Sequence, residues 1–258
     1  MKPKRAIMTR ELRHLCEQVR QLAETMRKDL TRHAPDTDAK RAALYMFAKG
    51  YKSYQAALLL YREGFWQDAA SVARTLLELS FQARRLDKDP ETAGELFLRG
   101  AERDRIKLMR NLQLNGDEET KIQADAFLKE LPSSTDIDVS WRNWWGSKSN
   151  IEKLANEIGY TGVYGLQYRP LCWFVHSSPI TIGHYLNEDK LGENVLPDCK
   201  PSTPSKKDQK LAETFFSAAP GALMDVLAVV DNVFKLNLQK DFNRVGLALQ
   251  KFNEANLG

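Results

Sequence analysis

The chain reads as all-α, an up-and-down helical bundle with an additional helix at each end, and three features of its 258 residues carry that reading. Apolar side chains recur at steps of three and four through most of the length, the period of one helix face. Proline, glycine and asparagine punctuate those runs at helix-length intervals, as in Ala34-Pro35-Asp36, Asp89-Pro90 and Asn115-Gly116. Alternation of apolar and polar residues over five or more positions, the mark of a half-buried strand, is absent.

Residues 8–30 set Met8, Leu12, Leu15, Val19, Leu22, Met26 and Leu30 on one face, so the first helix must pack on another surface. Pro35 ends it, because proline has no amide hydrogen to donate and disfavours helix in the residue before it. A second helix runs from about Asp38 to Arg62. Gly64 separates it from a third over 67–86, with Ala70, Ala73, Leu76, Leu77, Phe81 and Leu86 inward. Residues 91–114 are helical again, their apolar positions being Leu96, Phe97, Ile106, Leu108, Met109 and Leu112, and a shorter helix covers 117–130. Trp141, Trp144 and Trp145 stand among turn formers in 132–148, which predicts an ordered loop anchored by indoles. Ser149 is placed to cap a helix over 150–158, and Pro170 to start another that carries His176 and His184. Residues 188–206, with Gly192, Pro197, Pro201 and Pro204, read as an exposed connection. Helices over 207–236, interrupted at Pro220-Gly221, and 239–255 close the chain. The organisation is therefore an amphipathic basic helix (1–35), a helical core (38–190), a linker (191–206) and C-terminal helices packed on the core (207–258).

Hydrophobic residues at 43% and charged residues at 28% exclude a disordered or fibrous chain. The net charge of +4 is concentrated in residues 1–33, where nine Lys and Arg face four acids. Such a stripe steers toward phosphates, although a solvated face with i,i+4 pairs is its simpler explanation. Cys16, Cys172 and Cys199 fit neither a disulfide framework nor a zinc pattern and read as free thiols. No apolar run approaches the roughly 18–20 residues that span a bilayer, and the N-terminus is charged where a secretory signal would be apolar, which predicts a cytoplasmic protein without a membrane partner. A glycine-rich phosphate loop, a His-Glu-x-x-His helix and an EF-hand are all missing, so neither metal nor cofactor is expected.

The most informative stretch is Tyr168-Arg169-Pro170-Leu171-Cys172-Trp173-Phe174-Val175-His176. Seven residues are nearly two turns, so Arg169 and His176 project from one face about 10 Å apart along the axis. Ser178-Pro179 follows, which predicts that His176 ends the helix with its ring exposed toward a cleft. Histidine exchanges protons near neutral pH, and arginine holds phosphate oxygens through paired donors. Together they suffice for cutting RNA without metal, one moving the proton of the 2′-hydroxyl and the other countering charge on the phosphate. A structural histidine bonded to a backbone carbonyl is the competing explanation. A Cys172 thiol nucleophile, one turn from His176, lacks recognisable oxyanion donors. Arg74 and Glu78, four apart in the apolar stretch AASVARTLLELSFQA, form either a surface ion pair or a buried pair that needs partners.

Arg169-x6-His176 at a helix start in an all-helical chain resembles the Arg-x4–6-His motif of the HEPN superfamily (higher eukaryotes and prokaryotes nucleotide-binding). Ala73-Arg74-Thr75-Leu76-Leu77-Glu78, the tryptophan-rich loop and Tyr168-Arg169-x-Leu171-x4-His176-Ser177 are similar to a bacterial domain family of uncharacterised function with a HEPN-like layout, over roughly 40–190. The resemblance implies a HEPN-like core, a metal-independent endoribonuclease of antiviral or toxin–antitoxin defence, and an RNA substrate. It further implies a homodimer sharing its active site and a possible defence-system partner protein. By that resemblance Arg169 and His176 are catalytic, and Glu78, Arg74, Tyr168, Asp104 and Ser177 are supporting residues. Glu78, or less directly Asp104, would be the acidic helper that holds His176 in one tautomer or orients Arg169. The residue after the motif arginine is usually polar in active members, and here it is Pro170. A non-catalytic helical module that binds a nucleotide, nucleic acid or protein is the alternative.

Overall fold

The structure, a computed structural model, describes residues 8–130, 150–176, 186–188, 195–197 and 206–257. The first helix, α1 (Arg10–Leu30), is capped by the Thr9 side chain, and all seven residues of its predicted stripe are buried. The next two are α2 (Asp38–Arg62) and α3 (Trp66–Lys88), separated by Gly64 at φ +89°, a left-handed turn that glycine adopts without strain. Then come α4 (Pro90–Asn115), α5 (Glu118–Lys129) and α6 (Ile151–Glu157). The cap of α6 is Asn150, whose side chain accepts from Lys153 N; Ser149 and the three loop tryptophans lie outside the described residues.

Pro170 does not open a new helix. Helical backbone runs from α7 (Thr161–Val163) through a π turn (Tyr164–Tyr168) into α8 (Arg169–Val175). The π turn answers the proline: Pro170 cannot donate to the Leu166 carbonyl and its ring would crowd that oxygen, so the chain widens by one residue and Arg169 N–H bonds to Tyr164 O. At the end of the predicted helical core, β1 (Leu186–Glu188) pairs antiparallel with β2 (Val195–Pro197) of the predicted connection, in the register Leu186 to Pro197. The strands escaped the sequence reading because three residues are too few to show alternation. The chain ends in α9 (Lys206–Phe234) and α10 (Gln239–Leu257). Pro220 lies inside an unbroken α9. Packing of α9 against α1, α2 and α3 overrides the local break.

The centre of the core is the trio α2, α3 and α9, with α1 laid over α9 and α10 over α1, α4 over α2 and α3, and α8 against α3. Tyr54, Tyr61, Phe81 and Phe216 are its largest fully buried side chains, and the Tyr61 and Phe216 rings sit 4.4 Å apart. Tyr54 donates its hydroxyl to the Cys16 carbonyl at 3.0 Å, while buried Glu213 of α9 accepts from Thr9 N at 3.0 Å. These bonds tie α1 to the core at two points. Among the described residues, Gln209–Phe234 is apolar and long enough to cross a bilayer, which the sequence reading had not recognised; 61% of its most apolar window is buried inside the protein. On α4, Ile106 is buried as expected and Leu108 is exposed, and Ala93 adds a buried contact.

Gly94 marks where α4 and α2 touch. A Cβ there would stand 2.6 Å from Ala39 N and 2.8 Å from Ala39 Cα, and backbone cannot yield as a flexible side chain does. Gly94→Ala is expected to destabilise the protein by about 1–3 kcal/mol in a denaturant titration. Gly246→Ala in α10, with nothing within 4 Å, is expected to be neutral or stabilising by up to about 1 kcal/mol. Equal effects of the two changes would contradict this packing.

Candidate functional site

One face of α3 carries Arg74, Glu78, Phe81 and Arg84 at steps of four, three and three, and the facing segment carries Tyr160, Tyr164 and Tyr168 every four residues. The two patterns lock together. Tyr168, 3% exposed, donates its hydroxyl to Glu78 Oε1 at 2.6 Å and accepts from Arg74 Nη2 at 2.8 Å, while Arg74 and Glu78 pair directly at 2.8 Å. The Arg74 guanidinium also lies 5.1 Å from the Tyr168 ring centroid. Two turns away the arrangement recurs: Tyr160 donates to Asp225 Oδ1 at 2.9 Å, and Arg84 pairs with the same oxygen. The Phe81 ring sits between the tyrosines, 6.0 Å from Tyr160 and 5.8 Å from Tyr168.

Bonds to charged groups, about 1.5–3 kcal/mol each when partly buried, far exceed the few tenths of an exposed i,i+4 pair. The clusters therefore hold the π turn and α8 on α3. Burial pushes the Tyr160 hydroxyl up to about 12, helped by the Asp225 charge. Burial and the bond to Glu78 raise that of Tyr168 further. Burial opposes the charge on Arg74, but Cys172, Glu78 and Tyr168 outweigh it and raise its pKa. Among the described residues, Arg74 Nε is buried with no hydrogen-bond partner, and the Cys172 thiol lies beside that guanidinium.

Anchored in this way, α8 turns Leu171 and Phe174 inward, where Phe174 meets Trp66 and Phe215 at 5.7 and 5.3 Å. Its other face presents Arg169, Cys172, Trp173 and His176, at i, i+3, i+4 and i+7. Those four and Tyr164 line a cleft of about 360 Å³, the lower end of the range for small-molecule sites. Arg169 and His176 are both exposed. The helix ends at Val175, and His176 N–H bonds to Cys172 O at 3.0 Å.

Of the predicted site residues, Arg169 and His176 share the cleft, whereas Arg74, Glu78 and Tyr168 form the cluster beneath it. Glu78 is bonded to Arg74 and Tyr168, not to His176 or Arg169, so any support it gives passes through Tyr168. Asp104 pairs with its neighbour Arg103 on α4 and does not line the cleft. Ser177 and His184 lie outside the described residues. Sequence reasoning missed Tyr160, Tyr164, Arg84, Asp225 and Trp173; the four-residue tyrosine spacing facing an Arg/Glu face of α3 was the available signal. A larger concavity of about 790 Å³ lies between the starts of α2 and α4 and the end of α9, where Lys40 pairs with Asp36, Asp38 with Arg41, Glu95 with Arg99, and Asp87 accepts from Asn232.

A model of a family of unknown function, DUF5677, matches residues 40–194. The chain belongs to that family. No curated protein and no solved structure matches it. The DUF5677 span covers α2 from its third residue through α8, with every predicted site residue, yet it stops before α9, which supplies Asp225 to the Tyr160 cluster.

The raised tyrosine values fix a sign. A hydroxyl kept neutral in the folded state, where an unfolded tyrosine ionises near 10, contributes stability that is complete below pH 10 and lost as pH climbs through the folded value. Denaturant midpoints measured from pH 8 to 12 are expected to fall above pH 10, and to fall less in the Tyr160→Phe/Tyr168→Phe double variant. Parallel curves for the two proteins would contradict these bonds.

Proposed function

We propose that this chain is a HEPN-like, metal-independent endoribonuclease whose working pair is Arg169 and His176. One observation carries the reading: an exposed guanidinium and an exposed imidazole on one helix face open into the same cleft. The His176 imidazole takes the proton of a 2′-hydroxyl, and the freed oxygen attacks the adjacent phosphorus. The bond to the 5′-oxygen breaks, that oxygen gains a proton from water, and His176 returns its proton to solvent. The products are a 2′,3′-cyclic phosphate and a 5′-hydroxyl end. Arg169 offsets the charge that grows on the non-bridging oxygens, and the cluster under the cleft keeps both side chains in register.

A cytoplasmic defence role and a homodimer with the two sites side by side follow from the HEPN resemblance and belong to the same proposal, as does a regulating partner protein. The bonding of Glu78 to Tyr168 instead of His176 favours a second reading, a non-catalytic module that uses the cleft only to bind.

The test is incubation of the full chain with mixed RNAs in EDTA, with end-group analysis of the products. Wild type is expected to leave cyclic phosphates, and His176→Ala to cut at least about 100-fold more slowly. Absence of cleavage, or equal cleavage by the variant, would contradict the nuclease.

A further inference from the structure

We infer that Tyr164 and Trp173 are base-stacking walls of the cleft, so that its ligand is single-stranded RNA presenting unpaired bases. The inference deepens the nuclease reading by naming the form of RNA, and it rests on that reading for the polymer being RNA. It starts from a division of labour on α8. Leu171 and Phe174 turn into the core, while Trp173, 40% exposed, lines the cleft together with Arg169 and His176. Tyr164 has a different role from the other two tyrosines of its row. Its ring stacks on Tyr168 at 5.2 Å and 22° and also forms part of the cleft wall, so the clustered Tyr168 below holds it in a fixed orientation before any ligand arrives.

Two aromatic surfaces and the Arg169 guanidinium lining one cleft are the elements of single-strand recognition: flat rings for bases and a guanidinium for the backbone. A pre-oriented ring costs little entropy on binding. In a duplex each base is covered by its neighbours, and a cleft of about 360 Å³ cannot admit a paired helix, so only an unstacked nucleotide satisfies both walls.

The experiment measures binding of the full chain to a fluorescently labelled 12-nucleotide unstructured RNA carrying 2′-O-methyl groups throughout, which the proposed chemistry cannot cut. Wild type is expected to bind this strand at least about tenfold more tightly than the same strand annealed to its complement. Tyr164→Ala and Trp173→Ala are each expected to weaken it about five- to tenfold, as loss of one stacked base would. Trp173→Phe and Tyr164→Phe, which keep a ring, are expected to stay within about twofold, and circular dichroism melts check that every variant is folded. Equal affinity for strand and duplex, unchanged binding in folded alanine variants, or no binding would overturn the inference. So would displacement by a mononucleotide as effective as by the strand, which would mark a nucleotide pocket, or displacement only by an acidic peptide, which would mark a protein site. A strand that binds as expected while unmodified RNA is never cut would refute the nuclease and leave the stacking intact. Cleavage with folded alanine variants that bind normally would do the reverse.

Discussion

The geometry of the cleft depends on two tyrosine hydroxyls, each held by an arginine–carboxylate pair, on either side of Phe81. The helical run from Thr161 to Val175 is short and carries a π turn in its middle, so on its own it would be marginal in water. What fixes α8 is the facing helix: Tyr168 bonded to Glu78 and Arg74, and Tyr160 bonded to Asp225, which Arg84 also pairs. The charges are partly buried, where an unpaired one is costly, so each cluster resists losing a member. The same clusters that hold the backbone also set which way Arg169 and His176 face.

The clamp also explains why the bundle needs its last long helix. Asp225 lies on α9, which packs against both α2 and α3 and yet falls outside the residues that define the DUF5677 match. The Tyr160 cluster thus joins three parts of the chain distant in sequence, and the end of the family match at residue 194 is not the boundary of the packed unit. Helix α1, tied to α9 by Glu213 and to α2 by Tyr54, extends that unit to the N-terminal side.

Much of the helical fold was legible because its signals are local. The stripe from Met8 to Leu30 and the stops at Pro35, Gly64 and Asn115-Gly116 depend on period and backbone chemistry alone. Where tertiary packing outweighs local preference, legibility ended: Pro220 sits inside α9, and Pro170 is absorbed by a π turn instead of starting a helix. The site was legible to the same extent. Arg169 and His176 sit on one face because both lie on one element, and helical arithmetic suffices. The Tyr168 partner of Glu78 lies 90 residues away, and no spacing rule says that a tyrosine, not a histidine, will reach it.

Hydrogen exchange at the backbone amides of 171–176 tests the clamp most directly, comparing wild type with the Tyr160→Phe/Tyr168→Phe double variant. If the two hydroxyls hold α8, protection in that segment falls at least about tenfold while the amides of α2 and α9 keep theirs, in line with local opening of a single element. Unchanged protection over 171–176, or an equal loss across the whole bundle, would contradict the claim that these bonds position the cleft.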